Sequence, residues 1–133
     1  MKSLQDHINQ KRRSGEIEFF IEERRVDCVI SRMPIKAGML NPFGTVQAGA
    51  MLWLADVTAT VMAIGTSEIG EDGKGFPLAV DLHTALLGNQ RNGEIRAESR
   101  IVRRGKRVIV VRTRVIGNEE QILAEVTTTH IPA

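Results

Sequence analysis

The stretch NPFGTVQAGAMLWLADVTATVMAIG, residues 41–65, decides the fold of this chain. Residues 48–64 within it contain no Pro and a single charged side chain, Asp56, over a length of roughly four to five helical turns. A helix this apolar has to be buried nearly all round. It is too short, and too polar at Asp56, Thr58 and Thr60, to span a membrane. We therefore predict a long central helix in the protein core.

Asp56 is the first candidate functional residue. Burying a carboxylate costs several kcal/mol of desolvation free energy unless the group is paired or hydrogen-bonded. A carboxylate in the middle of an apolar helix therefore usually has a specific role. The alternative is a structural role, because buried carboxylates also occur in inert ion-pair networks. The sequence around Asp56 has to decide between the two.

The approach to the helix favours a functional role. Residues 41–45 are rich in turn formers, and Gln47, Ala48 and Gly49 then open the helix with small side chains that allow close approach to the backbone. The N–H groups at a helix start are unpaired, and the helix dipole is positive there. This end suits a polarised carbonyl oxygen or an oxyanion, about two turns before Asp56.

Composition limits the class of protein. With 133 residues, 42% hydrophobic and 26% charged, the chain is expected to form one soluble domain over residues 1–133. Its net charge of +2 does not by itself suggest a nucleic-acid or membrane partner. The single Cys28 excludes an intrachain disulfide and a cysteine-based zinc site, and we expect no metal and no cofactor. The N-terminus lacks the apolar core of a signal peptide, so a cytoplasmic location is expected.

The remaining periodicity predicts an α+β fold. A short amphipathic helix over 3–13 precedes a hairpin of two strands, and four further strands follow the central helix. The predicted strands cover residues 17–21, 26–35, 76–87, 95–103, 107–115 and 121–131. This order favours a curved antiparallel sheet wrapped round the long central helix, so that helix and sheet bury each other.

Several segments carry a family resemblance: LNPFGTVQAGAMLWLADVTATVMA, AVDLHTALL, IRAESRIVRRGKRVIVVRTRV and AEVTTTH. Together with the order of elements, they resemble the hotdog-fold acyl-CoA thioesterases of the phenylacetate-pathway, or PaaI-like, type. The resemblance covers nearly the whole chain after about residue 15. It implies a hotdog fold and hydrolysis of a CoA thioester to free acid and CoA.

The resemblance also assigns roles to individual residues. In that family an Asn precedes the helix, His-Gly-Gly opens it, and an Asp follows eight residues after the first glycine. Here these positions hold Asn41, Gln47-Ala48-Gly49 and Asp56. The resemblance implies that Asp56 is the nucleophile or the general base, and that Asn41 orients water or the carbonyl. The N–H groups of Ala48 and Gly49 would hold the oxyanion.

Three departures from the family pattern bear on these roles. Gln47 keeps a hydrogen-bond donor where the family has His but removes a titratable group, and Ala48 adds a methyl group that is tolerated if its φ is negative. Some relatives place a Ser or Thr in the next strand, where this chain has Ala79. Thr84 or His83 could supply the missing polar group, depending on which of them points inward.

Residues 91–114 hold nine Lys or Arg against Glu94 and Glu98. One interpretation is the solvated outer face of two strands, which keeps the sheet soluble. The other, favoured by the resemblance, is a turn that binds the phosphates of coenzyme A. That turn contributes Arg103, Arg104, Lys106 and Arg107. A site for single-stranded nucleic acid usually has aromatic residues among its Lys and Arg side chains, and this segment has none.

The resemblance further implies a dimer with the active site at its interface, and dimers that pair into a tetramer. The acyl pocket is expected beside Asp56, lined by helix residues such as Leu52 and Thr60, with Trp53 interpreted as a core residue. Independently of the resemblance, the unpaired backbone groups of an exposed edge strand can pair with a strand of another chain.

Three rival hypotheses remain open. A non-catalytic hotdog protein that binds acyl-CoA or a related ligand is favoured by Gln47, Ala48 and Ala79. A hotdog hydratase or dehydratase should need a His paired with an acidic residue near the helix start, where Gln47 stands. In the last, Asp56 is merely structural, and exchanging it for Asn would change neither activity nor ligand affinity.

Overall fold

A six-stranded antiparallel sheet packs against one long helix. The computed structural model describes residues 3–9 and 14–133. Its elements are α1 (Leu4–Asn9), β1 (Phe20–Arg24), β2 (Val29–Pro34), α2 (Ala48–Ile64), β3 (Pro77–Leu86), β4 (Glu94–Arg104), β5 (Ile109–Ile116) and β6 (Ile122–Pro132). The strand order is β1-β2-β4-β5-β6-β3, so β1 and β3 are the edges.

The predicted architecture is confirmed. The central helix covers the residues expected of it, and each predicted strand is present, with β1 shifted a few residues towards the C-terminus. The first helix covers Leu4–Asn9, and the rest of its predicted span, 10–13, lies outside the described residues. In the described part of the chain, no helix has the length and apolar character that a membrane crossing needs.

The central helix buries one face only. Its buried residues form a stripe against the sheet: Ala50, Met51, Leu54, Ala55, Thr58, Ala59, Met62 and Ala63. The opposite stripe, which includes Leu52, Trp53 and Asp56, is half-buried. The expectation that α2 is buried nearly all round is therefore wrong for the chain by itself, because the sheet covers only one side of the helix. The second side borders the edge strand β3.

Cross-strand register separates the two faces of the sheet. Residues paired directly opposite each other share a face, and successive residues alternate. Buried Val126 pairs with Thr113 and Thr84, which places all three on the inner face towards α2. We call the opposite surface the outer face.

Two arginines hold the C-terminal end of α2. Arg104 lies opposite Ile109 and donates from Nη1 to the Ala63 carbonyl (2.9 Å) and from Nη2 to the Met62 carbonyl (3.1 Å). From the other side of the helix end, Arg24 donates to the Gly65 carbonyl (2.8 Å). Cations suit these otherwise unpaired carbonyls and the negative end of the helix dipole.

We expect Arg104→Ala to lower the free energy of unfolding by about 1–3 kcal/mol, because two charge-assisted hydrogen bonds are lost. Its neighbour Arg103 makes no hydrogen bond or ion pair with the described residues, so Arg103→Ala should change stability by less than about 0.5 kcal/mol. Urea denaturation of both variants measures the difference. Equal losses would show that the bonds to α2 contribute nothing.

Candidate active site

An open groove of about 590 Å³ runs between α2 and β3. Its helix side consists of Gly49, Leu52, Trp53 and Asp56, and residues 79–82 form its strand side. The helix positions follow the spacing i, i+3, i+4 and i+7, which places them on one face of α2. Apolar side chains dominate the lining, and Asp56 lies among them.

The strand side depends on an irregularity in β3. Ala79 pairs with His130, and the register shifts between Ala79 and Asp81. Such a bulge interrupts the strict alternation of side chains, which is how four consecutive residues of β3 come to line the groove. Asp81 is among these lining residues, although its pairing with Thr129 places its side chain on the outer face.

Asp56 carries an unpaired buried atom. Its Oδ1 is inaccessible to solvent and has no hydrogen-bond partner among the described residues. No ion pair of residues 3–9 and 14–133 includes Asp56 either. Leaving a carboxylate oxygen in this state is costly, which favours a functional role for Asp56 over a purely structural one.

The start of α2 presents free N–H groups to open space. No hydrogen bond between described residues uses the backbone N–H of Ala48 or Gly49, whereas the Ala50 N–H already donates to the Gln47 carbonyl (3.0 Å). A side chain at Gly49 would meet no atom within 4 Å. Among described non-glycine residues, positive φ occurs only at Glu119 and Glu120, so the methyl group of Ala48 fits without strain.

The loop before the helix is held by side-chain amides. Asn41 Oδ1 accepts from the N–H groups of Phe43 (2.9 Å) and Thr45 (3.1 Å), and Asn41 Nδ2 donates to Thr45 Oγ1 (2.7 Å). Gln47 precedes the helix in an extended conformation and donates from Nε2 to the Leu40 carbonyl (3.2 Å). Each amide thus stabilises the loop that leads into α2, and Asn41 Nδ2 keeps one hydrogen for a further acceptor.

Of the two polar residues considered in place of the family hydroxyl, Thr84 points inward. It pairs with buried Val126, and its Oγ1 is a second buried atom without a partner among the described residues. His83 pairs with Thr127 on the outer face and is exposed. Strand register, which the sequence does not give, decides between them.

A buried histidine borders the groove, and sequence reasoning gave it no role. His130 is fully buried opposite Ala79, and its Nε2 lies 2.8 Å from Thr128 Oγ1. Its Nδ1 lies 3.2 Å from the Pro77 carbonyl, which can only accept. Nδ1 therefore donates to this carbonyl, and Nε2 is hydrogen-bonded to the Thr128 hydroxyl. Its position near the chain end gave no signal of this burial.

The basic turn divides between the two faces of the sheet. Arg103 pairs with Val110 on the outer face, whereas Arg104 points inward to α2. Arg104, Lys106 and Arg107 line a cavity of about 230 Å³ at the C-terminal end of α2. This cavity contacts Ile64, which lies about 12 Å along the helix axis from Asp56.

Two helix residues differ from their expected places. Trp53 packs edge-to-face on Phe19, with ring centroids 4.9 Å apart, as expected of a core residue. It also lines the groove, which was not expected. Its position four residues after Gly49 could have indicated this. Thr60 is half-buried one turn beyond Asp56 and does not line the groove, whereas Leu52 does.

No three His, Cys, Asp or Glu side chains of residues 3–9 and 14–133 gather in a way that could hold a metal ion.

Solved structures share this fold. No family model matches the sequence, and a search of curated proteins finds no match. A variant of a thioesterase enzyme from Staphylococcus aureus superposes with a TM-score of 0.78 at 20% identity, covering 85% of this chain and 91% of that one. A thioesterase from Haemophilus influenzae gives 0.77 at 18% identity, covering 85% and 76%.

A hypothetical thioesterase protein from Streptococcus pneumoniae, solved with coenzyme A, gives a TM-score of 0.76 at 15% identity, covering 87% of this chain and 86% of that one. These likenesses confirm the predicted hotdog fold. Identities this low establish the fold alone, so the PaaI-like assignment stays a prediction.

Proposed function

We propose that this protein is an acyl-CoA thioesterase that uses Asp56 as its catalytic carboxylate. The observation that carries the proposal is the unpaired, buried Oδ1 of Asp56 in an apolar groove that begins at free helix N–H groups. A thioester has a group that suits each of these two features. Its carbonyl oxygen becomes an oxyanion, and its carbonyl carbon needs a nucleophile or a base-activated water.

The chemistry is a hydrolysis. As a general base, Asp56 takes a proton from water while the water oxygen bonds to the carbonyl carbon; the C–S bond then breaks, and the proton passes to the departing thiolate. As a nucleophile, an Asp56 oxygen bonds to the carbonyl carbon while the C–S bond breaks and coenzyme A leaves as the thiolate; water then cleaves the mixed anhydride to the free acid and the Asp56 carboxylate. In both routes the N–H groups of Ala48 and Gly49 hold the oxyanion. Asn41 Nδ2 is placed in the adjoining loop to orient water or the carbonyl.

The groove lining suits the acyl chain, and the basic turn suits the phosphates of coenzyme A. Leu52, Trp53 and Leu82 offer apolar contact next to Asp56. Lys106 and Arg107 line the cavity that contacts Ile64, and Ile64 lies about 12 Å from Asp56 along the helix axis, a reach that an extended phosphopantetheine arm covers. The binding of coenzyme A by the Streptococcus pneumoniae protein of the same fold supports this assignment.

Within the basic turn, the arginines contribute differently. Arg103 is free to meet a phosphate, whereas the guanidinium of Arg104 already donates to two helix carbonyls. Arg104 adds positive charge to the cavity and holds α2 in place. We therefore expect the phosphate contacts to depend more on Arg103, Lys106 and Arg107.

A second copy of the chain completes the site in our proposal. The edge strand β3 exposes Leu78, Val80, Leu82 and Leu86, at 39–56% of their surface, and its unpaired backbone suits edge-to-edge pairing. Gly49 and Asp56 are about 10 Å apart along the axis of one helix. A two-fold pairing that sets two α2 helices antiparallel would bring the helix start of one chain towards Asp56 of the other. Two such dimers would pair into a tetramer.

A thiol-release assay over short, medium, long and aromatic acyl-CoA thioesters tests the proposed activity. We expect turnover of at least one member of this panel. Absence of release across the panel would contradict the proposal.

The second candidate function is a non-catalytic hotdog protein that binds acyl-CoA. Two residues favour it. The Gln47 amide already donates to the Leu40 carbonyl instead of facing a substrate, and Ala79 offers no hydroxyl to position water. Acyl-CoA that raises the melting temperature without release of thiol would establish this alternative.

A further inference from the structure

The outer face of the sheet holds two pairs of arginines directly opposite each other. Arg32 on β2 pairs with Arg96 on β4, and Arg100 on β4 pairs with Arg112 on β5. Like charges in directly opposed positions destabilise a sheet. Each pair therefore needs compensating anions.

The first pair has its anions within the chain. Four carboxylates neutralise it: Glu22 (2.6 Å) and Glu94 (3.1 Å) on Arg32, and Glu98 (3.1 Å) and Glu120 on Arg96. The hydrogen bond from Arg96 lowers the pKa of Glu120, as expected for an engaged carboxylate. This pair is a satisfied structural feature.

The second pair is not compensated in this way. Arg100 lies 4.0 Å from Asp27, with 62% and 73% of the two side chains exposed. Arg112 makes no hydrogen bond or ion pair with any described residue. An anion supplied from outside would remove the repulsion between Arg100 and Arg112.

The uncompensated charge continues towards the basic turn. Arg103 follows Arg100 on the same face and lacks a partner among the described residues, and Lys106 and Arg107 come next along the chain. We call Arg100, Arg103 and Arg112 the arginine surface. The carboxylates near it are Asp27, Asp81, Glu98 and Glu125, of which Glu98 and Glu125 are ion-paired with Arg96 and Arg114. Arg100 and Arg112 line none of the cavities described above, so this part of the sheet fits a macromolecule better than a small ligand, because small ligands need concave sites.

We propose, on the basis of the thioesterase function, that the arginine surface docks an acidic carrier protein that presents the acyl group as a thioester on its phosphopantetheine arm. Coenzyme A and carrier proteins share this arm, so the same groove serves both. The arm would enter beside Lys106 and Arg107 and reach Asp56, while the acidic protein rests on the arginine surface. Free coenzyme A has no acidic protein to place there.

Matched substrates and matched variants test the docking. We expect Arg100→Gln with Arg112→Gln to lower kcat/KM at least about tenfold for an acyl carrier protein substrate and to weaken its salt dependence. The same acyl group on CoA should keep its kcat/KM within about twofold. The control, Arg32→Gln with Lys36→Gln, removes two ion-paired charges outside the arginine surface and should affect neither substrate in this way.

Three outcomes would overturn the docking proposal: unchanged turnover of the carrier-protein substrate, equal losses with both substrates, or an arginine surface that binds a single-stranded oligonucleotide but not the carrier protein. Should the wild type fail to hydrolyse acyl-CoA, the thioesterase function fails by itself. Titration of the chain with a phosphopantetheinylated carrier protein then still tests docking. Equal affinity of wild type and variant, or no binding, would contradict it.

Discussion

Replacing Asp56 by Asn is expected to lower kcat for acyl-CoA hydrolysis about 10³-fold. The amide has nearly the shape of the carboxylate but can neither accept the proton of water nor form the anhydride. Substrate affinity should change little, because the apolar lining and the basic turn are untouched. Thiol release at saturating substrate measures kcat, and thermal-shift titration of a CoA thioester measures affinity.

Asp81 provides the matched control, since it is the other carboxylate that lines the groove. It pairs with Thr129 on the outer face, so Asp81→Asn should leave kcat within about threefold of wild type. A large loss in Asp81→Asn with normal turnover in Asp56→Asn would transfer the catalytic role to Asp81. Normal turnover in both variants would leave Asp56 a structural residue.

Placing lysines on the edge strand, Leu78→Lys with Leu86→Lys, is expected to yield monomers and to reduce kcat/KM to below about 1% of wild type. Both residues belong to β3, are about half exposed and lie outside the groove lining. Charged edges oppose strand pairing, so the loss of activity would follow from loss of the second chain. Light scattering gives the mass, and circular dichroism verifies the fold.

Two other exposed apolar residues, Ile17 and Val26, give a control with the same gain of charge far from β3. Ile17→Lys with Val26→Lys should keep both assembly and turnover. A fully active monomer of the β3 variant would contradict a site shared between two chains, and an intact, active dimer would contradict pairing through β3.

The sequence was sufficient to predict the elements and their order. An apolar run without Pro, ended by Gly65, defines α2, and the breaks around residues 88–89, 104–106 and 117–118 separate the last four strands. These signals are local, so they can be read without knowing which strands become neighbours.

The parts of the site that depend on register could not be predicted. Whether Thr84 or His83 points inward follows from the bulge after Ala79, which has no sequence signal of its own. In the same way, Arg103 and Arg104 look equivalent in sequence but face opposite sides of β4. The open side of α2 also escaped prediction, because an apolar helix face looks the same whether the sheet or a second chain covers it.

The central claim is most directly tested by a crystal structure of Asp56→Asn with an acyl-CoA that the wild type hydrolyses. The thioester carbonyl oxygen is predicted to lie within hydrogen-bond distance of the N–H of Ala48 or Gly49 of one chain. The substituted side chain at position 56 of the other chain should lie beside the carbonyl carbon, and the phosphates near Lys106 and Arg107. Acyl-CoA seated instead in the cavity of about 340 Å³ beside Arg24 and Arg25, with the groove empty, would contradict it.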